Sequence, residues 1–376
     1  MKYIQEVFMK TIGKKIIITM VCILLVSTFV WAGGEQETGE PTKTEEAGKS
    51  EESKKADAGE GNYVIALSNS YYGNTWRKQM VSAFEEQAEK AKAEKRIKDY
   101  VVVNADGTQN QQIAQMNSLI LEGVDAICIN SASPTALNGV IEKAHEAGIK
   151  VLAFDSIALS PYCWKLDFNF TEQTEFGTQW VADKLNGKGN ILIVRGVSGS
   201  LPDKELYEGQ INVLEEYPDM EIVGEVIGEA STTVAQQAVS NVLPSLPQVD
   251  AVLTQGGGDA WGVVQAFQAS DQEMPIIIGD NTAEFLNWWW EEYQETGYET
   301  VSVCSSPTIS QAALWLTINI LERPDNEIPK EMSLGVIPIT VDTLENYLDT
   351  KPGTIASPTF TEEWVIENLI EKFSKN

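Results

Sequence analysis

Seven short Val- and Ile-rich runs recur between Tyr63 and Asp280, with polar, helix-length stretches between most of them. The runs are Val64–Leu67, Tyr100–Val103, Ala126–Ile129, Val151–Phe154, Ile191–Val194, Ala251–Leu253 and Ile276–Ile278. Each is continuously apolar rather than alternating, the pattern of strands covered on both faces of a parallel sheet. Helices are expected over Trp76–Lys95, Gln109–Glu122, Pro134–Ala147, Glu172–Leu185 and Ser231–Leu243. Alternation of this kind predicts an α/β fold, with open parallel sheets flanked by helices.

The pattern also repeats internally. Val124-Asp125-Ala126-Ile127 opens a unit that ends at Asp155, and Val249-Asp250-Ala251-Val252 opens one that ends at Asp280. Asp125 to Asp155 and Asp250 to Asp280 are both 30 residues. Two similar units predict two similar lobes. Ligands of open α/β sheets sit outside the carboxyl ends of the strands, so a cleft between two half-sites follows.

Ahead of the alternating region lies a different kind of sequence. Lys10, Lys14 and Lys15 precede an apolar run from Ile16 to Ala32, which ends Val30-Trp31-Ala32. A basic head, an apolar middle and small residues at −3 and −1 read as a secretory signal peptide over residues 1–32. A retained anchor is the alternative, at the lower length limit for spanning a bilayer. Residues 33–61 contain no Val, Ile, Leu, Met or aromatic residue and are rich in Glu and Lys. They are expected to form a disordered acidic linker. Export would place the protein in the periplasm or cell envelope.

Composition narrows the function. Asp and Glu number 55 against 27 Lys and Arg, a net charge of −28. Nucleic acid is excluded as a partner, since its affinity comes mainly from cations on phosphates. One histidine, His145, rules out sites that need two. No metal or cofactor site is expected. Cys128 and Cys304 lie in apolar runs and read as small core residues, with no disulfide framework.

The candidate site residues sit at strand ends. Asn74 and Trp76 follow the first strand in Ser68-Asn69-Ser70-Tyr71-Tyr72-Gly73-Asn74-Thr75-Trp76-Arg77. Asn74 serves either as a helix cap or as a ligand contact, and Trp76 either as core or as a stacking surface. Asp155 and Asp280 end strands, where a carboxylate can hold the next turn or accept from two hydroxyls. Gln255-Gly256-Gly257-Gly258 matches no phosphate-binding pattern and reads as close backbone approach to a ligand or another loop. Trp288-Trp289-Trp290 cannot all share one helical face. His145, just before Gly148, reads as a surface residue at a helix end.

With these residues in order, the chain from Asn62 to about Lys330 resembles the type I periplasmic binding proteins, in particular the ribose-binding-like components of ABC transporters. The resemblance is carried by Gly73-Asn74-Thr75-Trp76, Ile127-Cys128-Ile129-Asn130-Ser131, Val151-Leu152-Ala153-Phe154-Asp155, Phe168-Asn169, Tyr207-Glu208-Gly209 and Ile276-Ile277-Ile278-Gly279-Asp280-Asn281. It implies two Rossmann-like lobes joined by a three-crossover hinge, with crossings near Asn169, Ser305–Pro307 and Leu334. The first lobe would comprise 62–168 and 306–333, the second 169–305 and 334–376. Trp76 would stack on a sugar, and Asn74, Asn130, Asp155, Asp280 and Asn281 would bond its hydroxyls. Gly256 and Ser305 would stand where relatives carry Asn and Gln. Ser156 stands where the family often has Arg, so the second half-site is expected to be less polar than in ribose binders. A different monosaccharide, a polyol or a partly apolar ligand such as a nucleoside is then expected.

The resemblance implies a monomeric, non-enzymatic binding protein that delivers a small sugar or polyol to an ABC transporter permease. Two alternatives stay open at this stage. One is a sensor coupled to a chemoreceptor or sensor kinase, the other an exported sugar-acting enzyme using paired carboxylates.

Overall fold

A computed structural model describes residues 61–374. The expected leader, and all but the last residue of the expected linker, lie outside the described residues.

All seven anticipated strands form, and they assemble into two parallel sheets. In the first, β1 (Val64–Asn69), β2 (Asp99–Asn104), β3 (Ala126–Asn130), β4 (Lys150–Phe154) and β5 (Trp164–Phe168) are joined by Glu331–Leu334, in the order β2-β1-β3-β4-β5 and then Glu331–Leu334. In the second, β6 (Lys188–Arg195), β7 (Asp219–Ile227), β8 (Ala251–Thr254) and β9 (Ile276–Ile277) run β7-β6-β8-β9. The first four strands of each lobe therefore share one order. The internal echo has a matching bond: Asp125 accepts from the backbone N–H of Val64 at 2.7 Å, and Asp250 accepts from that of Asn190 at 2.7 Å. Each carboxylate fixes its central strand to the start of the neighbouring one.

The continuous apolar runs are explained by burial on both faces. Ile65 and Leu67 face one core of the first lobe, while Ala66 faces the other with Ile127 and Ile129. Leu192 and Val194 likewise oppose Ile191 and Ile193 in the second lobe. Helix α1 (Thr75–Ala93) buries Met80, Phe84, Ala88 and Ala91 along one stripe against the first sheet. Asn74 caps it, its Oδ1 accepting from the Arg77 N–H at 2.8 Å. In the second lobe, α2 (Phe170–Lys184), α3 (Leu201–Leu214) and α4 (Asp259–Gln268) cover the sheet, together with α5 (Ala283–Thr296). In α5, Trp288 and Trp289 are buried and Trp290 is half-buried.

Three connections run between the two sheets ahead of the carboxyl-terminal segment. The chain passes from β5 into α2 at Asn169, and from β10 (Ser302–Cys304) to α6 (Ile309–Glu322) through Ser305–Pro307. It passes again from β11 (Glu331–Leu334) to β12 (Ile337–Ile339), which pairs antiparallel with β10. Helix α6 returns to the first lobe, where every residue from Ile309 to Ile320 is buried.

Residues 334–376 were expected to lie wholly in the second lobe; the end of the chain does not. After Leu344 and Ala356 pack in the second lobe, Phe360, Val365, Leu369 and Ile370 join the first lobe's core. This is a fourth crossing. The Gln79 side-chain amide holds it by donating to the Ile355 carbonyl at 2.9 Å and accepting its N–H at 2.7 Å. Arg96 ties Glu322 and Glu362 together beyond it. The physical cause is apolar demand: α6 is buried all round, and its outer face needs the terminal helix to cover it.

Cys128, Cys163 and Cys304 are buried and unpaired. His145 is exposed at the end of its helix and stacks on Tyr162 at 4.9 Å.

Candidate functional site

The carboxyl ends of both sheets converge on a cleft that is open to solvent. Its first wall is built by the turn before α1. Asn74, Trp76 and Arg77 line it together with Asp155. Asp155 is only 5% exposed and holds φ +57°, a left-handed conformation that Asp tolerates better than most residues. This strained strand end turns its carboxylate toward α1.

Two side chains hold that carboxylate. Asn130 Nδ2 donates to Oδ2 at 2.8 Å. The Arg77 guanidinium stands 3.6 Å from the same oxygen and 5.3 Å above the Trp76 ring. Burial pushes the Asp155 carboxyl above the ordinary range, and Arg77 and Asn130 oppose that shift. Trp76 Nε1 donates to the Ser305 carbonyl at 2.9 Å, which joins this wall to the second crossing.

The second wall comes from the loops after β6, β7 and β8. Ser200 caps α3 by accepting the Asp203 N–H at 3.2 Å, and Asp203 holds Arg195 through two bonds of 2.9 and 2.8 Å. The Gln255 amide accepts from the Gly196 N–H at 2.7 Å and donates to the Asp203 carbonyl at 3.2 Å. The glycine run is required by close approach: a Cβ on Gly257, at φ +74°, would lie 2.6 Å from that of Ala230. Glu229 and Ala230 themselves hold φ of +56° and +52°. The partner of Gly257 is thus a neighbouring loop, while Gly256 lines the cleft beside Cys304.

Of the eight residues singled out from sequence, Asn74, Trp76, Asp155, Gly256 and Ser305 line this cleft. Asn130 is fully buried behind Asp155 and orients it. Asp280 and Asn281, expected to contact ligand, do not reach the cleft, and both are fully buried. Asp280 Oδ2 accepts from the N–H groups of Gly258 and Ala260, and Oδ1 from the N–H and hydroxyl of Thr282. The reason is position: it lies between the N-termini of α4 and α5, where a carboxylate satisfies orphan donors and the helix dipoles. Asn281 accepts from the Ser302 hydroxyl at 2.7 Å and donates to the Ile337 carbonyl at 2.9 Å, stitching the crossing strands to the lobe.

Arg77, Asp203 and Gln255 were not singled out from sequence. A cation in the first helical turn opposes the dipole, so Arg77 carried a signal that it needs a carboxylate. Ser200-Leu201-Pro202-Asp203 carried the Ser-x-x-Asp capping pattern.

Beside Asp280 lies a second buried acid. Asp259 accepts only the Ser231 N–H, at 3.1 Å, and its Oδ2 has no partner among the described residues. Burial first, and then Asp280, raise its carboxyl well above the usual value. Burial raises the Asp280 carboxyl as well, but four donors oppose that shift where Asp259 has one. A raised carboxyl contributes stability that is full below the unfolded value of about 3.9 and is lost as pH rises through the folded value. Asp259→Asn keeps the acceptor and cannot ionise. Urea unfolding from pH 4 to 9 should find it gaining on wild type as pH rises from about 4, with the gap levelling off once the folded carboxyl ionises. A gap independent of pH would show that Asp259 does not titrate abnormally.

Comparison with known proteins meets this geometry. The family described as periplasmic binding protein domain matches residues 65–324. The chain belongs to the periplasmic binding protein family. A crystal structure of an ABC transporter solute-binding protein from Thermobispora bispora is similar to this binding protein, with 37% identity, a TM-score of 0.79 and coverage of 84% of this chain and 96% of the other. The ribose import binding protein of Bacillus subtilis is 24% identical over 225 residues, 60% of this chain and 72% of that one. The D-xylose-binding periplasmic protein of Escherichia coli is 24% identical over 263 residues, 68% and 75% of the two chains. The parallel sheets, two lobes and intervening cleft of this binding protein are those of its family's fold.

Proposed function

We propose that this binding protein captures a sugar or related polyol between its lobes, outside the cytoplasmic membrane, and hands it unchanged to an ABC transporter permease. The observation that carries the reading is the first wall of the cleft. There the Trp76 ring lies beside Asn74, Arg77 and Asp155, so a flat apolar surface adjoins charged and amide hydrogen-bonding groups. Sugars match that surface, with CH faces for the ring and hydroxyl edges for the polar groups. Asp155, held by Asn130, is the anchor for hydroxyl donors, and Arg77 supplies the guanidinium that Ser156 cannot. Relatives named for ribose and xylose binding support the class of ligand, and the Thermobispora bispora relative supports the link to an ABC transporter. The protein acts as a monomer in this reading.

Calorimetry against monosaccharides and polyols tests it, with recovery of the bound ligand to check that it is unchanged. Trp76→Phe keeps a ring and is expected to bind nearly as well as wild type. Trp76→Ala is expected to lose about tenfold or more, since an aromatic contact adds ~0.5–1.5 kcal/mol beyond its buried area. Equal affinity in the two variants would mean that the ring serves the core alone. Turnover of the sugar would refute the assignment to a binding protein.

A further inference from the structure

The two walls of the cleft differ in what they leave available. On the first wall, Asn74 uses its Oδ1 as a cap, and its amide N–H groups have no partner among the described residues. Arg77 has one side-chain hydrogen bond, a long one of 3.5 Å to Asn69, besides its 3.6 Å approach to Asp155. Donors therefore remain for a ligand. On the second wall, the carboxylate is taken up by an ion pair and the amide and hydroxyl are each tied to the wall itself, with one donor hydrogen left on Ser200 and one on Gln255. Ser200 holds the Asp203 N–H, Asp203 holds Arg195 twice, and the Gln255 amide spans Gly196 and Asp203. The side chains left over on that wall are aliphatic: Val197, Pro202, Leu206 and Ala230.

We infer that the ligand is a sugar carrying an aliphatic substituent, which it turns toward Val197, Pro202, Leu206 and Ala230 while its hydroxyls meet the first wall. This rests on the sugar-binding reading and narrows it. A hydroxyl pressed against those four aliphatic side chains would lose its water without gaining a partner from them, whereas a methyl group would gain burial at no such cost. The same chemistry comes from two sources: the methyl of a 6-deoxy sugar, or the alkyl group of a glycoside. Asp155 is paired with Arg77, and Asp203 with Arg195, so each acid lining the cleft already has its cation.

The test is calorimetry on the purified protein with each aldohexose measured against its 6-deoxy counterpart and its methyl glycoside. L-galactose with L-fucose, L-mannose with L-rhamnose, and D-galactose with its methyl β-glycoside are such pairs. The substituted member is expected to bind roughly 10- to 100-fold tighter, the range within which an apolar pocket distinguishes small changes. A preference for the deoxy sugars alone, or the glycosides alone, identifies the source. Leu206→Gln should shrink the preference toward parity. Val197→Thr, at a half-buried position and nearly isosteric, should do the same without risk to the fold. Parent hexoses that bind as tightly as their substituted partners, or more tightly, would overturn the inference while leaving sugar binding intact. If no member of any pair binds, the sugar-binding reading fails and this one with it.

Discussion

Trp289→Ala should lower the free energy of unfolding by roughly 3–5 kcal/mol, the range for deleting a buried large aromatic. Trp289 is fully buried in the second lobe's core, with the Phe285 ring 6.4 Å away. Its removal leaves a cavity that α5 and the flanking sheet can only partly close. Trp289→Phe should cost much less, under about 1.5 kcal/mol. The reason is a polar one. The Trp289 Nε1 is buried and makes no hydrogen bond among the described residues, so Phe gives up packing volume but also removes an unsatisfied donor. Denaturant unfolding of both variants checks this. A Phe variant as damaged as the Ala variant would mean that the indole N–H has a partner, a bound water for instance.

Asp155→Ala should act on both affinity and stability. Loss of one or two charge-assisted bonds to hydroxyls is worth on the order of 2–4 kcal/mol, or roughly 30- to 1000-fold in Kd. From the strand-end position alone, the fold would be expected to tolerate the change. The structure adds a stranded charge. Arg77, with a side chain 10% exposed, would keep its guanidinium in a buried place with the carboxylate it pairs with gone. Removing one partner of a buried pair typically costs about 3–5 kcal/mol. Ala also tolerates the left-handed backbone at this position less well than Asp. Adding Arg77→Met to Asp155→Ala should restore part of the lost stability, because the stranded cation leaves with it. Unfolding curves for the two single variants and the double variant decide the matter. Simple additivity would show that the pair is not coupled, and wild-type stability in Asp155→Ala would show that Arg77 is solvated.

The elements legible in the sequence are those whose signal is local. β1, β3, β4 and β6 are apolar on both faces and announce themselves as continuous runs. β5 does not, since Trp164-Lys165-Leu166-Asp167-Phe168 alternates, with Lys165 reaching out to Glu331. β7 is an edge strand with Glu221, Gly224 and Glu225 in its length, and its exposed side dilutes the pattern. The same distinction runs through the site. Asn74, Trp76 and Asp155 were legible because a turn and a strand end place them. Asp280 stands at an equivalent strand end, but its fate depends on two helix N-termini that only the tertiary structure brings to it. Arg77 escaped because its partner is remote in sequence, and the engagement of Asp203 and Gln255 with each other spans 52 residues.

The fourth crossing bears on when the molecule can fold as it emerges from synthesis. Gln79 and Ile355 are bonded across 276 residues, and Arg96 and Glu362 across 266. The first lobe begins with β1 yet lacks its central buried helix until α6 is made, and lacks the cover for that helix until Val365, Leu369 and Ile370 follow. The second lobe has both its sheet and its covering helices between Phe170 and Cys304, and waits only for Ile339, Leu344 and Ala356 to finish its core. Loop-closure entropy must be met before contacts so distant can contribute, which makes the first lobe the slow one. A nascent chain therefore holds its first lobe open until the segment around Leu369 and Ile370 is made, so its sheet stays without full cover through most of synthesis.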